Sequence, residues 1–238
     1  MNLVRSEAIK LLATRRTAIV VVLALLAIVG IGTAGTVDSG SDSFTERGVV
    51  LRDVITGPAG TAAFFALIAG ILVATWEYQH GTITHTLLVT PRRERVFGAK
   101  TVLGLACGLI LTGVALLVAL VIALPWLGAE MSSELWGLVG RVLASGALWG
   151  AIGVALGLLV ASQVGAIVST LIWFVVVEPI VGTLLDDTAR YLPLRAVQAL
   201  QGGDVDGLSG LGGAGLTLAY LGAFAVIGLA ATLRRDIT

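Results

Sequence analysis

The chain has 238 residues, of which 57% are hydrophobic and only 13% are charged, and its formal net charge at pH 7 is zero. An average soluble domain carries roughly 25% charged residues, so this composition argues against a soluble fold. The apolar residues gather into six long runs with very few charges, each close to or above the roughly 20 residues that a helix needs to cross a bilayer. Barrel strands would instead alternate apolar and polar residues. We therefore predict an all-α membrane protein with six transmembrane helices.

We predict a single transmembrane domain, residues 1–238, in which short polar segments connect the spans. The first run follows two arginines and is long for a signal peptide, so we expect it to be a retained first helix. Proline suits the first turn of a helix, and Pro58 is therefore predicted to begin the second span. The third and fourth runs exceed a bilayer crossing and must tilt or protrude. The spans are predicted at residues 17–36, 58–76, 96–124, 135–161, 164–185 and 211–233.

The cations indicate the orientation of these spans. With the N-terminus inside, the cytoplasmic segments contain about ten Lys and Arg residues and the outer segments about four, and this positive-inside bias predicts that both termini are cytoplasmic. The inner set is Arg5, Lys10, Arg15, Arg16, Arg92, Arg93, Arg95, Lys100, Arg234 and Arg235, and the outer set is Arg47, Arg52, Arg190 and Arg195.

Two segments outside the spans are predicted to be helical. Residues 1–16 form an amphipathic pattern typical of a helix that lies in the inner membrane interface, although a basic flank that only sets topology would look similar. The outer loop, residues 186–210, is predicted to contain a short helix from Asp187 to Leu200 that is interrupted at Pro193 and followed by a glycine-rich linker.

Two charged residues fall in the outer halves of predicted spans. Arg141 lies in the fourth span and Glu178 in the fifth, both in the outer half of the membrane. Because a buried charge in a membrane is tolerated when it is paired, we predict an ion pair between them. The pair would either tie two helices together or form an outer gate or a polar lining of an exit path.

Small residues form a stripe along the fourth span. Gly146, Gly150, Gly153 and Gly157 are spaced by four, three and four residues, and Gly104 and Gly108 repeat the pattern in the third span. Small residues on one helix face allow backbones to approach closely in lipid, so these glycines are predicted to pack helices together.

The most informative polar stretch, residues 77–95, joins the second and third spans. It begins with Glu77, contains an apolar patch at Leu87 and Leu88, and ends in a cluster of arginines. Such a patch outside the membrane indicates a docking surface, while a purely topogenic basic loop is the alternative. His80 and His85 lie five residues apart without a nearby cysteine, so we predict no metal site.

The order of residues in this loop resembles that of ABC type-2 transporter permeases. It runs from an acid through Gly-Thr, Leu and Pro to Arg and finally Lys100, and the outer Tyr191-Leu192-Pro193 looks like the corresponding segment of actinobacterial-type members. The resemblance implies a cytoplasmic coupling helix that docks on an ATPase subunit through Glu77, Gly81, Thr82, Leu87, Leu88, Pro91, Arg92, Arg93 and Arg95. It also implies that Glu7 and Lys10 of the N-terminal connecting helix flank that subunit. The family's Pro-x-Ser-Arg turn lacks its serine here, so which arginine takes that role stays open.

The resemblance also implies the partners. The chain contains no G-x-x-x-x-G-K-[ST] motif, so we expect it not to be an enzyme, with no cofactor of its own and with ATP and Mg on a separate ABC ATPase subunit. A second permease copy or a paralogue, and membrane lipids, complete the expected partners, and no nucleic acid is expected. The implied function is export of an amphipathic drug, peptide antibiotic or lipid-like molecule across a bacterial plasma membrane. The alternatives are a proton-coupled secondary transporter that uses Arg141 and Glu178, or a membrane scaffold.

Overall fold

A computed structural model describes residues 15–41, 47–81, 93–185, 188–203, 205 and 207–234. Its described residues form eight helices, six of which are long and apolar enough to cross a membrane. The helices are α1 (Arg15–Ser41), α2 (Arg47–Thr56), α3 (Ala62–Gln79), α4 (Arg93–Leu127), α5 (Ser133–Val160), α6 (Gln163–Leu184), α7 (Pro193–Leu200) and α8 (Gly210–Arg234). The prediction of an all-α protein with six spanning helices is confirmed, while the predicted interfacial helix, residues 1–16, lies almost entirely outside the described residues, as does most of the coupling loop.

Three details differ from the expectation. Helix α2 lies between the spans α1 and α3, where no helix was predicted. Pro58 does not begin a span, because it lies in the turn between α2 and α3, where its carbonyl accepts a hydrogen bond from the Thr61 hydroxyl at 2.6 Å. The segment predicted as one interrupted helix is a 3₁₀ turn, Ala189–Tyr191, followed by α7, which begins at Pro193. A proline lacks the N–H that the first turn leaves unbonded, so Pro193 starts α7 without loss.

Helix α5 is the centre of the bundle. It packs against α3, α4 and α8, and 67% of its most apolar window is buried within the protein, compared with 17% for α1, α6 and α8. In a membrane the apolar residues at the periphery are solvated by lipid, so exposed leucines and valines on these outer helices need no protein cover. The bundle is therefore built from a packed α3–α4–α5 core with α1, α6 and α8 around it.

The bundle has two chemically distinct ends. We call the end with Arg93 and Arg95 the basic end, and the opposite end, with Glu130 and Glu134, the acidic end. The two short helices, α2 and α7, both lie at the acidic end, because they connect spans that meet there. The basic end is the one predicted to face the cytoplasm.

The glycine stripe lies where α5 meets its neighbours. An added Cβ at Gly150 would overlap the carbonyl oxygen of Gly104 in α4, and one at Gly153 would overlap the carbonyl oxygen of Leu67 in α3. Gly146 lies against Thr112 of α4 in the same way, and Gly157 lies against Ala74 of α3. Side chains at these positions would hold the backbones apart, so the glycines set the distance between the central helices.

Candidate functional site

A buried ion pair lies at the basic end, where α3 ends and α4 begins. The Nζ atom of Lys100 is 3.0 Å from Oε2 of Glu77, and each side chain is only 1% exposed. The same Nζ donates a hydrogen bond to the carbonyl oxygen of Val73 at 3.1 Å. Val73, Leu103 and Leu158 belong to a buried apolar cluster formed by α3, α4 and α5. Two buried charges are tolerated because each compensates the other and a backbone carbonyl also accepts from the ammonium.

This pair corrects the role expected for Glu77. The resemblance places Glu77 on a docking surface, but its carboxylate is buried and engaged by Lys100. Lys100 had been treated only as a topogenic cation at the end of the loop. Both residues lie beside apolar stretches of the sequence. A charge in such a position indicates burial, and this signal could have predicted the ion pair.

The chain leaves α3 through a glycine turn. The ring of His80 stacks on Trp76 with 3.8 Å between centroids, and the ring Nδ1 lies 2.9 Å from the Trp76 carbonyl oxygen. Gly81 follows with a φ of +64°, the left-handed conformation in which glycine commonly ends a helix. The predicted docking residues Thr82, Leu87, Leu88, Pro91 and Arg92 lie outside the described residues, as do Glu7 and Lys10.

The arginines that begin α4 have different surroundings. Arg93 donates from Nη1 to the carbonyl oxygens of Thr232 at 2.6 Å and Leu233 at 3.2 Å, at the end of α8. The last carbonyls of a helix have no partner within the helix, and a cation there also complements the helix dipole. Arg93 thus binds the end of another helix, and its predicted role in docking stays a prediction. Arg95 is exposed and is the described arginine best placed to meet a partner.

The acidic end also contains a buried carboxylate, that of Glu178. Its side chain is 2% exposed, and Oε1 accepts a hydrogen bond from the backbone N–H of Leu194 at 2.6 Å. Leu194 is the second residue of α7, so the carboxylate of α6 caps the N-terminus of the outer helix. A helix N-terminus stabilises a negative charge through its free N–H groups and its dipole.

The predicted ion pair between Arg141 and Glu178 is not formed. Arg141 is exposed and its guanidinium lies against Gly202 and Gly210, near the beginning of α8. The cation that interacts electrostatically with Glu178 is Arg195 of α7. Similar depth in neighbouring spans did not bring the two side chains together, because α7 supplies Glu178 with backbone donors and glycines leave room for Arg141 elsewhere.

A π-helical turn precedes Glu178. Residues Trp173–Val177 form this turn, and the N–H of Glu178 donates to the carbonyl oxygen of Trp173, five residues back. Pro179 has no N–H to donate, and in a regular helix its ring would clash with the carbonyl oxygen four residues earlier. The wider turn accommodates this proline and rotates the following residues, which brings Glu178 to α7.

A buried glutamine, Gln201, holds the C-terminal end of α7 through hydrogen bonds. Gln201 donates from Nε2 to the carbonyl oxygen of Gly60 at 3.1 Å and to Oγ of Ser145 at 2.8 Å. Nearby, Arg52 of α2 donates to the carbonyl oxygen of Gly202 at 2.8 Å. Helix α7 is therefore tied to α6 at its first turn and to α2, α3 and α5 around its last.

We expect Gln201→Leu to loosen this outer helix. Removing the amide leaves the Gly60 carbonyl and the Ser145 hydroxyl with fewer partners, which costs on the order of 1–3 kcal/mol for buried groups. Hydrogen exchange followed by mass spectrometry in detergent micelles should show faster exchange in residues 193–203. Gln198→Leu, at a less buried position of the same helix, should leave exchange within error of the wild type; equal rates for both variants would contradict the assignment.

Comparison with protein-family models and with curated protein sequences finds no match for this chain. The class of protein therefore follows from the fold: the chain is a multi-pass membrane protein with six candidate spans. Among the described residues, no group of three or more His, Cys, Asp or Glu residues is arranged to hold a metal ion.

Proposed function

We propose that the chain is the transmembrane permease subunit of an ABC exporter. In this proposal a separate ATPase subunit binds at the basic end, hydrolyses ATP with Mg, and drives an amphipathic substrate out of the cytoplasm. The proposal begins from the order of residues between α3 and α4, which resembles the coupling loop of type-2 permeases.

The Glu77–Lys100 ion pair is the observation that gives this proposal its strongest support. It joins the last turn of α3 to the beginning of α4, so the two helices that flank residues 80–92 are bound to each other. A loop closed in this way transmits a displacement to both helices together. Because α3 and α4 both pack against the central α5, such a displacement would reach the middle of the bundle.

Two further contacts support a mechanical role for the basic end. Arg93 links the beginning of α4 to the end of α8, so a partner at this end would also act on the last span. The exposed Arg95 supplies a cation for such a partner.

The same proposal requires a second permease, either another copy or a paralogue. Six spans are half of the set that the resembled family uses. Helices α1, α6 and α8 expose apolar faces on which a second permease or lipid would pack. The substrate would pass between the two halves.

Replacing Leu87 and Leu88 with aspartate should abolish co-purification with the ATPase subunit. Two carboxylates would place charge on the apolar patch that is proposed to dock, and desolvating an unpaired charge costs several kcal/mol. The partner would be chosen as the Walker-motif protein encoded beside this chain and co-expressed with it. Pull-down followed by quantitative mass spectrometry measures the complex.

The matched control is Leu211→Asp, which places a carboxylate on a highly exposed leucine at the acidic end. This variant should retain the ATPase, whereas an intact complex in the double loop variant would contradict docking. Vesicles give the functional test: export should require ATP and be inhibited by vanadate, and transport driven by a proton gradient alone would contradict the proposal.

A further inference from the structure

A cavity of about 590 Å³ lies within this single chain, between the middle of the bundle and the acidic end. Helices α3, α5, α6 and α8 form its walls, and Leu192 and Pro193 close it toward α7. Its volume falls in the range of roughly 300–1,000 Å³ that is typical of small-molecule sites. A cavity of this size, bounded by the central helices α3 and α5 and the peripheral helices α6 and α8, is large enough for a ligand of drug size.

Aromatic rings dominate its lining. Trp149 and Phe174 contact each other across α5 and α6, with 5.0 Å between ring centroids. Tyr220 and Phe224 line the cavity from α8, and Trp173 lines it from the π-helical turn. Aromatic rings attract cations through their negative faces, and they do so more strongly where water is excluded.

A buried acid lies next to this aromatic lining, although it does not itself line the cavity. Glu178 follows the π-helical turn, and its backbone N–H donates to the carbonyl oxygen of the lining residue Trp173. Oε1 is bonded to Leu194, but Oε2 is buried and has no hydrogen-bond partner within the described part of the chain. The interacting cation, Arg195, is exposed on α7 and therefore acts from outside the cavity. The carboxylate lies about 9 Å from the end of α6, as six residues at the helical rise span.

We propose that this cavity binds a lipophilic monovalent cation with an aromatic or otherwise bulky apolar body. The body fills the space between α3, α5, α6 and α8, and its positive charge is stabilised by the aromatic rings and by Glu178. An anion of the same shape is excluded, because the same carboxylate repels it. An acyl chain would use the apolar surface alone and would gain nothing from the acid next to the cavity.

Binding by this cavity stands independently of ATP-driven export. That the bound cation is also the transported substrate rests on the proposed function. A binding assay on the isolated chain and a transport assay on the complex therefore separate the two ideas: binding without export refutes only the second.

The test uses a pair of ions that have the same shape and opposite charge. Tetraphenylphosphonium and tetraphenylborate each carry four phenyl rings, and the first is a cation and the second an anion. Saturable binding of each to the purified full chain in detergent micelles is measured by equilibrium dialysis, with protein-free micelles subtracted. The wild type should bind the cation saturably at least about tenfold more tightly than the anion, which corresponds to the electrostatic and cation–π contributions together.

Two substitutions with matched controls locate the site. Glu178→Gln retains an oxygen that can accept from Leu194 and should reduce the preference for the cation about tenfold, while Trp173→Ala should weaken cation binding by a similar factor. Glu134→Gln and Trp136→Ala, at exposed positions of the acidic end, should leave both values unchanged. Circular dichroism checks that each variant is folded.

The wild-type comparison keeps the inference testable even if a variant fails to fold. No saturable cation binding, or equal affinity of the wild type for cation and anion, would overturn it. So would a phospholipid that native mass spectrometry finds bound and that the cation does not displace. Loss of cation binding in both control variants would place the site elsewhere and would also overturn it.

Discussion

Lys100→Met should unfold or severely destabilise the protein, although it changes one side chain far from any predicted substrate path. The substitution removes the ammonium that lies 3.0 Å from the Glu77 carboxylate, a group whose side chain is 1% exposed. Removing one partner of a buried ion pair costs about 3–5 kcal/mol, because the other charge stays buried and uncompensated. Thermal unfolding of the purified protein in detergent, followed by size-exclusion chromatography, measures the loss. Glu77→Leu should have an effect of the same size.

The double variant Glu77→Leu/Lys100→Met is the decisive control. Both side chains are 1% exposed, and replacing a whole buried pair by apolar residues of similar volume is often neutral or stabilising. We therefore expect the double variant to recover most of the stability that each single variant loses. Two single losses that simply add in the double variant would contradict a coupled pair.

The same double variant separates a structural from a coupling role. If the pair only supports folding, the recovered protein should export substrate as the wild type does. Under the proposed function it should bind the ATPase subunit but export more slowly for each ATP hydrolysed, because apolar contacts hold the ends of the loop less rigidly than an ion pair with a shared carbonyl. Coupling is measured as the ratio of export to ATP hydrolysis in reconstituted vesicles.

Gly150→Ala is expected to have the other large effect. Its Cβ would overlap the carbonyl oxygen of Gly104, and the carbonyl oxygen of Gly150 itself lies where a Cβ at Gly70 would be. Backbone atoms cannot rotate away as a flexible side chain can, so α3, α4 and α5 would have to separate. Overpacking a tight core typically costs 1–3 kcal/mol, and we expect at least about 3 kcal/mol here because three helices meet at one residue.

Helix α5 contains its own controls for this prediction. A Cβ added at Gly137 or Gly140 would meet no atom within 4 Å, and both residues are exposed. Alanine at these positions should therefore leave the unfolding temperature unchanged or raise it slightly, since alanine favours a helix over glycine by up to about 1 kcal/mol. Similar effects at Gly137 and Gly150 would show that helix propensity, and not close approach, controls the stability of α5.

Glu178 shows why side-chain partners could not be predicted from the sequence. A charge inside an apolar run indicates a polar partner, and Glu178 does have one, although it is not Arg141. Its identity depends on where α7 lies, which is controlled by a proline that starts this helix and by a π-helical turn that rotates Glu178 toward it. Neither the turn nor the position of α7 is encoded by local spacing, so Arg141 was the wrong partner.

The number of spans, their approximate bounds and the small-residue face of α5 were determined by the sequence alone. The physical reason is that a bilayer imposes a fixed length and apolarity on every helix that crosses it, and that small residues at helical spacing are readable as a face. The tertiary structure alone decided that Glu77 meets Lys100, that Arg93 holds the end of α8 and that Glu178 caps α7. These contacts join residues that are far apart along the chain or hidden at helix ends, and only packing brings them within hydrogen-bond distance.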